Sequence, residues 1–212
     1  LLLDRLRDAA AATRGMNARV GYVAGDALRL PFGDGRFDST FCVAVLQHVG
    51  DAGAAVAELA RVTRPGGRIL IVEPDNAARY WFSSVPGGMS AFDIGERFFT
   101  ALAAAGTESA AAQTGPLVPG ILRDHGVQPI SVQLFPVTVS HLGPPGNDVW
   151  DARRAAVDAA IGRAPDESLR RLGTDFRKAI DNYAREAAAA GSSFVEIQNT
   201  LLFATVGQRT DV

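Results

Sequence analysis

The chain has 212 residues, enough for one ordinary domain or one domain with an insertion. Apolar residues make up 47 % and charged residues 21 %, which excludes wholesale disorder, and a net charge of -2 argues against a dedicated nucleic-acid binder. A single cysteine, Cys42, excludes an intrachain disulfide framework, and there is no apolar run of the roughly 18 residues needed to cross a membrane.

Residues 2–13 read as an amphipathic helix with Leu2, Leu3 and Leu6 on one side. A chain that opens inside a helix without a cap is expected to be a piece of a longer one. Ala18 to Ala24 alternates as a strand, ended by Gly25 and Asp26. A loop follows, LPFGDGRFD, with a turn at Gly33, Asp34 and Gly35. Ser39 to Val45 is a short apolar run, a buried strand candidate. Asp51 or Gly53 opens a helix that runs to Thr63 and is stopped by Pro65, Gly66 and Gly67. Arg68 to Val72 is continuous and apolar, as a parallel strand covered on both faces would be. Beyond Asp75 the pattern loosens around Tyr80, Trp81 and Phe82. Helices are expected over 91–105, 116–125, 148–162 and 166–190, and strands over 130–139 and within 195–206. Strands alternating with helices give an α/β class with a mostly parallel sheet. Ligands on such sheets bind beyond the carboxyl ends of the strands. Three such ends lie close together in sequence: Gly25-Asp26-Ala27, Cys42 to His48, and Glu73-Pro74-Asp75.

Together, and in this order, the pieces GDALRLPF, FDSTFCVAVLQHV and ELARVTRPGGRILIVEPD resemble the central part of class I S-adenosylmethionine-dependent methyltransferases of the small-molecule type, which includes ubiquinone/menaquinone and natural-product enzymes. The resemblance implies a Rossmann-like sheet of order 3-2-1-4-5-7-6 with helices on both faces and a helical lid before the last strand. It implies S-adenosylmethionine as cofactor and a small-molecule acceptor methylated on O, N or C. It also implies site residues. Asp26 would accept from the adenine amine, and the backbone of small Ala27 would reach a ring nitrogen. The backbone of Cys42, Val43 and Ala44 would face the methionine part, with Gln47 or Leu46 lining its side; Leu28, Val43 and Leu46 would flank the adenine.

His48 is the titratable group at this strand-to-helix corner and a candidate general base. Placed at a helix start, its imidazole would be kept neutral by the positive end of the dipole. A capping or packing role is the plainer alternative. Glu73 and Asp75 could orient cofactor or substrate, or simply form a turn. Segments 76–106 and 146–190 are candidate lids, with Tyr80 and Trp81 against the acceptor and Phe98 in the core. The three histidines share no metal-ligand spacing, so no metal is expected.

The family's Gly-rich turn, G-x-G-x-G, is absent from residues 1–212, as is an acidic strand end for the ribose. Strands one and two are therefore expected upstream of Leu1. No nucleic-acid or membrane partner and a cytoplasmic location are expected, and a homodimer is left open. A non-methylating member of the same fold, such as a cyclase or a binding subunit, and an inactive fragment stay open beside methyl transfer.

Overall fold

The computed structural model describes residues 21–106 and 114–210 of the chain. The expected helix over 2–13 lies outside them. Four strands form one sheet: β1, Phe37–Val43; β2, Thr63–Ser83; β3, Val127–Leu142; and β4, Val195–Arg209, in the order β1-β2-β4-β3. β1 runs parallel to β2, with Cys42 opposite Ile71 and Val43 opposite Val72. β4 is antiparallel to both of its neighbours. This order reproduces the 4-5-7-6 portion of the sheet that the resemblance implies.

Two groups of helices cover different parts of the sheet. α1, Ala52–Val62, and α3, Thr114–Asp124, pack Val56, Val118 and Leu122 against Cys42, Ile69 and Ile71. Asp51 opens α1, its Oδ1 accepting the Ala54 N–H at 2.9 Å. α2, Pro86–Ala104, α4, Asn147–Gly162, and α5, Glu167–Ala190, form a second core around Phe98, Leu102, Trp150, Phe176 and Tyr183. Gly95 and Gly173 let α2 and α5 approach. A Cβ at Gly95 would sit 2.7 Å from the Phe176 ring, and one at Gly173 would sit 2.8 Å from Phe98. Phe98 is wholly buried, as expected.

β2 departs from the sequence reading. Instead of loosening after Asp75 it bulges between Asp75 and Tyr80, then pairs Tyr80 to Ser83 with Asn199 to Glu196. The reason is local: Tyr80, Trp81 and Phe82 are strong strand formers, and β4 continues alongside to receive them. Pro74 is tolerated in the strand because β1 has ended by then. Ala44 N–H donates to the Val72 carbonyl at 2.8 Å, so Val72, and by alternation Pro74, turns its backbone to the side β1 has just vacated.

The strand expected over 18–24 is not present in its described part. Residues 21–24 are irregular and exposed. No strand among the described residues lies beside them, and an unpaired strand has nothing to fix its extended backbone. β1 is an edge strand that pairs only with β2 among the described residues. Its outward Phe41 and Val43 are 75 % and 52 % exposed.

Candidate active site at the carboxyl end of the parallel strands

The residues after β1 form a tight corner held from below. Glu73, the third inward residue of β2 after Ile69 and Ile71, is fully buried. One of its carboxylate oxygens accepts the N–H groups of Val45 at 2.8 Å and Leu46 at 2.7 Å, and the other accepts that of Gln47 at 3.4 Å. These three N–H groups open a 3-10 turn, Leu46–His48, and would otherwise lack partners. Buried and engaged by these three N–H groups, Glu73 holds the turn of this corner. Asp75 forms a turn, accepting the Ala77 N–H at 3.0 Å.

Ala44, at the tip of β1, has φ of 53° and is the one non-glycine residue with positive φ among the described residues. Such a backbone costs an L-residue roughly 1–2 kcal/mol and concentrates at functional sites. The Cys42 side chain points away from the tip, into the core beneath α1 and α3. Burial, and then the charge of Glu73, push its thiol up to about 11. It is a neutral packing group at pH 7, and only its backbone is available to a ligand.

The corner opens into a cavity of about 530 Å³ between the sheet and the helical group. Gln47 and His48 reach it from the β1 side and Tyr80 and Trp81 from β2. α2 adds Phe92 and Phe99, α5 adds Phe176, and β4 adds Gln198 and Asn199. Trp81 stacks on Phe92 with ring centres 5.5 Å apart. Four of the sequence candidates, Gln47, His48, Tyr80 and Trp81, thus share one cavity. Val43 and Ala44 lie exposed at the strand tip just before it. Leu46, expected to flank the adenine, is instead 2 % exposed and belongs to the core under α1.

His48 is exposed, but it is the last residue of the 3-10 turn, and α1 begins only at Ala52. It does not sit on a helix start, so the dipole argument for its neutrality does not apply. Asp26 and Ala27 are outside the cavity. Asp26 is exposed, and its Oδ1 accepts the Leu28 N–H at 2.9 Å in a turn closed by the Arg29 N–H on its carbonyl. The segment that follows is fastened to α1. Arg61 binds Glu58 and Asp34 at 2.7 Å each and donates to the carbonyls of Phe32 and Leu30. Its guanidinium holds the Glu58 carboxyl down to about 2.

A second buried cluster ties the helical group to the sheet beneath the cavity. Glu196 is fully buried on β4. It takes the Arg153 guanidinium in a fork at 3.0 and 2.6 Å, the Tyr183 hydroxyl at 2.6 Å and the Gln198 amide at 3.4 Å. Arg153 also lies over the rings of Trp150 and Trp81, at 4.7 and 5.7 Å from their centroids. Burial, then the Glu196 acceptor, push the Tyr183 phenol up. Nothing in the sequence pairs these residues. The only sign is an acid in the inward phase of a strand.

The sheet order and a ligand-sized cavity at the carboxyl ends of parallel strands fit a Rossmann-like α/β architecture. Residues 3–71 match the methyltransferase domain family. That match covers about a third of the chain, which is similar there to methyltransferases. Demethylmenaquinone methyltransferase of Mycolicibacterium gilvum is 48 % identical over 71 residues, 34 % of this chain and 31 % of that protein. The Mycobacterium tuberculosis H37Rv enzyme of the same name is 52 % identical over 66 residues, 30 % and 28 % of the two chains. The aligned stretches thus span less than a third of the length of these curated relatives. Among solved structures, a putative methyltransferase of Bacillus halodurans matches 98 % of this chain and 80 % of its own, with a TM-score of 0.56 and 17 % identity. A methyltransferase of Methanosarcina mazei matches 97 % and 76 %, with a TM-score of 0.50 and 15 % identity. These two show the fold. No helix among the described residues is long and apolar enough to cross a membrane.

Proposed function

We propose that this chain serves methyl transfer from S-adenosylmethionine to a small-molecule acceptor held in the aromatic cavity. One observation carries the reading: the corner that Glu73 fixes at the end of β1 opens into the same cavity as the stacked Trp81–Phe92 pair. The residues present suit the cofactor along one side. Val43 and Ala44 lie exposed at the strand tip beside the cavity-lining Gln47, and Asp26, outside the cavity, offers a carboxylate beside small Ala27. Bound there, the cofactor would supply an electrophilic methyl carbon on a sulfonium.

The chain's own residues orient the acceptor and take its proton. The rings of Trp81, Phe92 and Phe99 suit a flat apolar body, in keeping with the quinone-directed name of the mycobacterial relatives. His48 at the rim accepts the proton of an acceptor hydroxyl or amine as that atom's lone pair turns to the methyl carbon. Alignment within the cavity does the rest.

The test is transfer of isotopically labelled methyl to hydroxylated bicyclic aromatics. Wild-type protein should label an acceptor. His48→Ala should lose at least about tenfold in turnover, since general-base assistance is worth roughly 100- to 10,000-fold, with cofactor affinity unchanged. Protein that binds the cofactor yet labels none of these acceptors refutes the reading.

A further inference from the structure

The cavity's polar rim is a directed chain of hydrogen bonds, and its direction follows from its first member. Arg79 can only donate. Its Nη2 donates to Asn76 Oδ1 at 2.9 Å, and this orients the Asn76 amide. The Asn76 Nδ2 then donates to Gln47 Oε1 at 3.0 Å, and this orients the Gln47 amide in turn. The Gln47 backbone is itself tied to Glu73. The Asn76 and Gln47 oxygens are each turned along this chain, which leaves the Gln47 amide hydrogens at one end and the guanidinium at the other. Both are donors, and one is charged. Arg79 forms no ion pair among the described residues, while Arg61, Arg153 and Arg154 are each committed to carboxylates. The one acid of the cavity, Glu96, comes from α2, whereas the donor chain comes from the β1 corner and β2. The two walls are thus of opposite polarity.

Resting on the methyl-transfer reading for the use of this cavity, we propose that its ligand is a flat aromatic molecule with an anionic oxygen substituent. The carboxylate or phenolate is bound by Arg79 and Gln47, and the rings lie between Trp81 and Phe99. A charged acceptor between the guanidinium and the Gln47 amide makes charge-assisted hydrogen bonds, about twice as strong as neutral ones. A neutral carbonyl makes the weaker kind, and an ammonium group is repelled by the guanidinium.

Binding is read without any methyl donor, so its outcome is separate from that of the transfer assay. The full chain is labelled with nitrogen-15, and the indole N–H signal of Trp81, assigned with Trp81→Phe, is titrated with 2-naphthoate, 2-naphthamide and 2-naphthylmethylammonium. The naphthoate should bind at least fivefold more tightly than the amide, and the ammonium weakest. Its advantage should shrink as salt rises. Arg79→Gln, at an exposed position where folding is not at stake, should weaken naphthoate at least fivefold and leave the amide unchanged. Asn76→Asp should erase the preference, because a carboxylate there makes Gln47 donate inward and turn its oxygen to the ligand. Equal binding of amide and naphthoate, a tighter ammonium, an unmoved Trp81 signal, or full naphthoate affinity in Arg79→Gln would each overturn the proposal.

Discussion

Replacing Glu73 by Gln tests whether one buried carboxylate organises the end of β1. The substitution keeps shape and volume. It leaves one oxygen to accept from Val45 and Leu46, now as neutral bonds, and sets an NH2 group against the Gln47 N–H, which now has no acceptor. Leaving one buried donor unmet costs about 1–3 kcal/mol, and turning two charge-assisted bonds into neutral ones costs roughly another 1 kcal/mol. The sum is about 2–4 kcal/mol. For a chain of this length each 1 kcal/mol moves the midpoint by roughly 2–4 °C. Melting should therefore fall by about 4–16 °C.

A second readout separates this from generic damage. Glu73 is, after burial, the main cause that raises the Cys42 thiol to about 11. In Glu73→Gln the thiol should ionise at a lower pH while staying above an ordinary thiol, because burial remains. Thiolate absorbance followed against pH in the folded protein measures it, and Cys42 is the only cysteine. An unchanged melting temperature together with an unchanged thiol titration would refute the assignment.

The Glu58 carboxyl, held down to about 2 mainly by its hydrogen bond from Arg61, adds stability that is fully present above its ordinary 4.5 and is lost as pH falls toward 2; melting of Glu58→Gln across that window should slope less steeply than wild type. Ala44→Val should destabilise by about 1–3 kcal/mol, because a β-branched residue resists the positive φ, whereas Ala44→Gly should stay within about 1 kcal/mol; urea unfolding of the two decides. Gly95→Ala should cost about 1–3 kcal/mol by pressing a methyl into the Phe176 ring, and a wild-type urea midpoint would show that α2 and α5 can part without loss.

The sequence reads most clearly where pattern and packing agree. Asp51 as one of two candidate openers, the helix stop at Thr63, the apolar run at 68–72 and the helix over 166–190 all rest on local chemistry, and all four hold in the structure to within a residue. Two readings of strand structure fail for one reason. The described part, 21–24, of the strand expected over 18–24 and the loose stretch after Asp75 both depend on a neighbour far away in sequence. Residues 21–24 have no described strand beside them, while Tyr80 to Ser83 have β4. Pairing decides, and composition does not record it. The site divides in the same way. His48 and Gln47 are legible because they follow a strand end, and Tyr80 and Trp81 because aromatic side chains in a candidate lid suit an apolar acceptor. Asn76, Arg79 and the Glu196 cluster are not, since each matters only through a partner that folding brings to it.

Glu73 and Glu196 show how two similar buried acids come to do different work. Each stands in the inward phase of a strand, where an unpaired charge would be prohibitive. Glu73 is satisfied almost wholly by backbone N–H groups of one short corner, so its effect is to fix the shape of a loop. Glu196 is satisfied by side chains from α4, α5 and β4, so its effect is to lock helices to the sheet. The cavity lies between these two anchors. Its strand side is rigid because Glu73 holds it. Its aromatic side is rigid where Arg153 pins Trp81, and beyond that it rests on the contact of α2 with α5 through Gly95 and Gly173. An acceptor's fit should therefore respond more to changes at that glycine-lined contact than to changes at either acid's own strand.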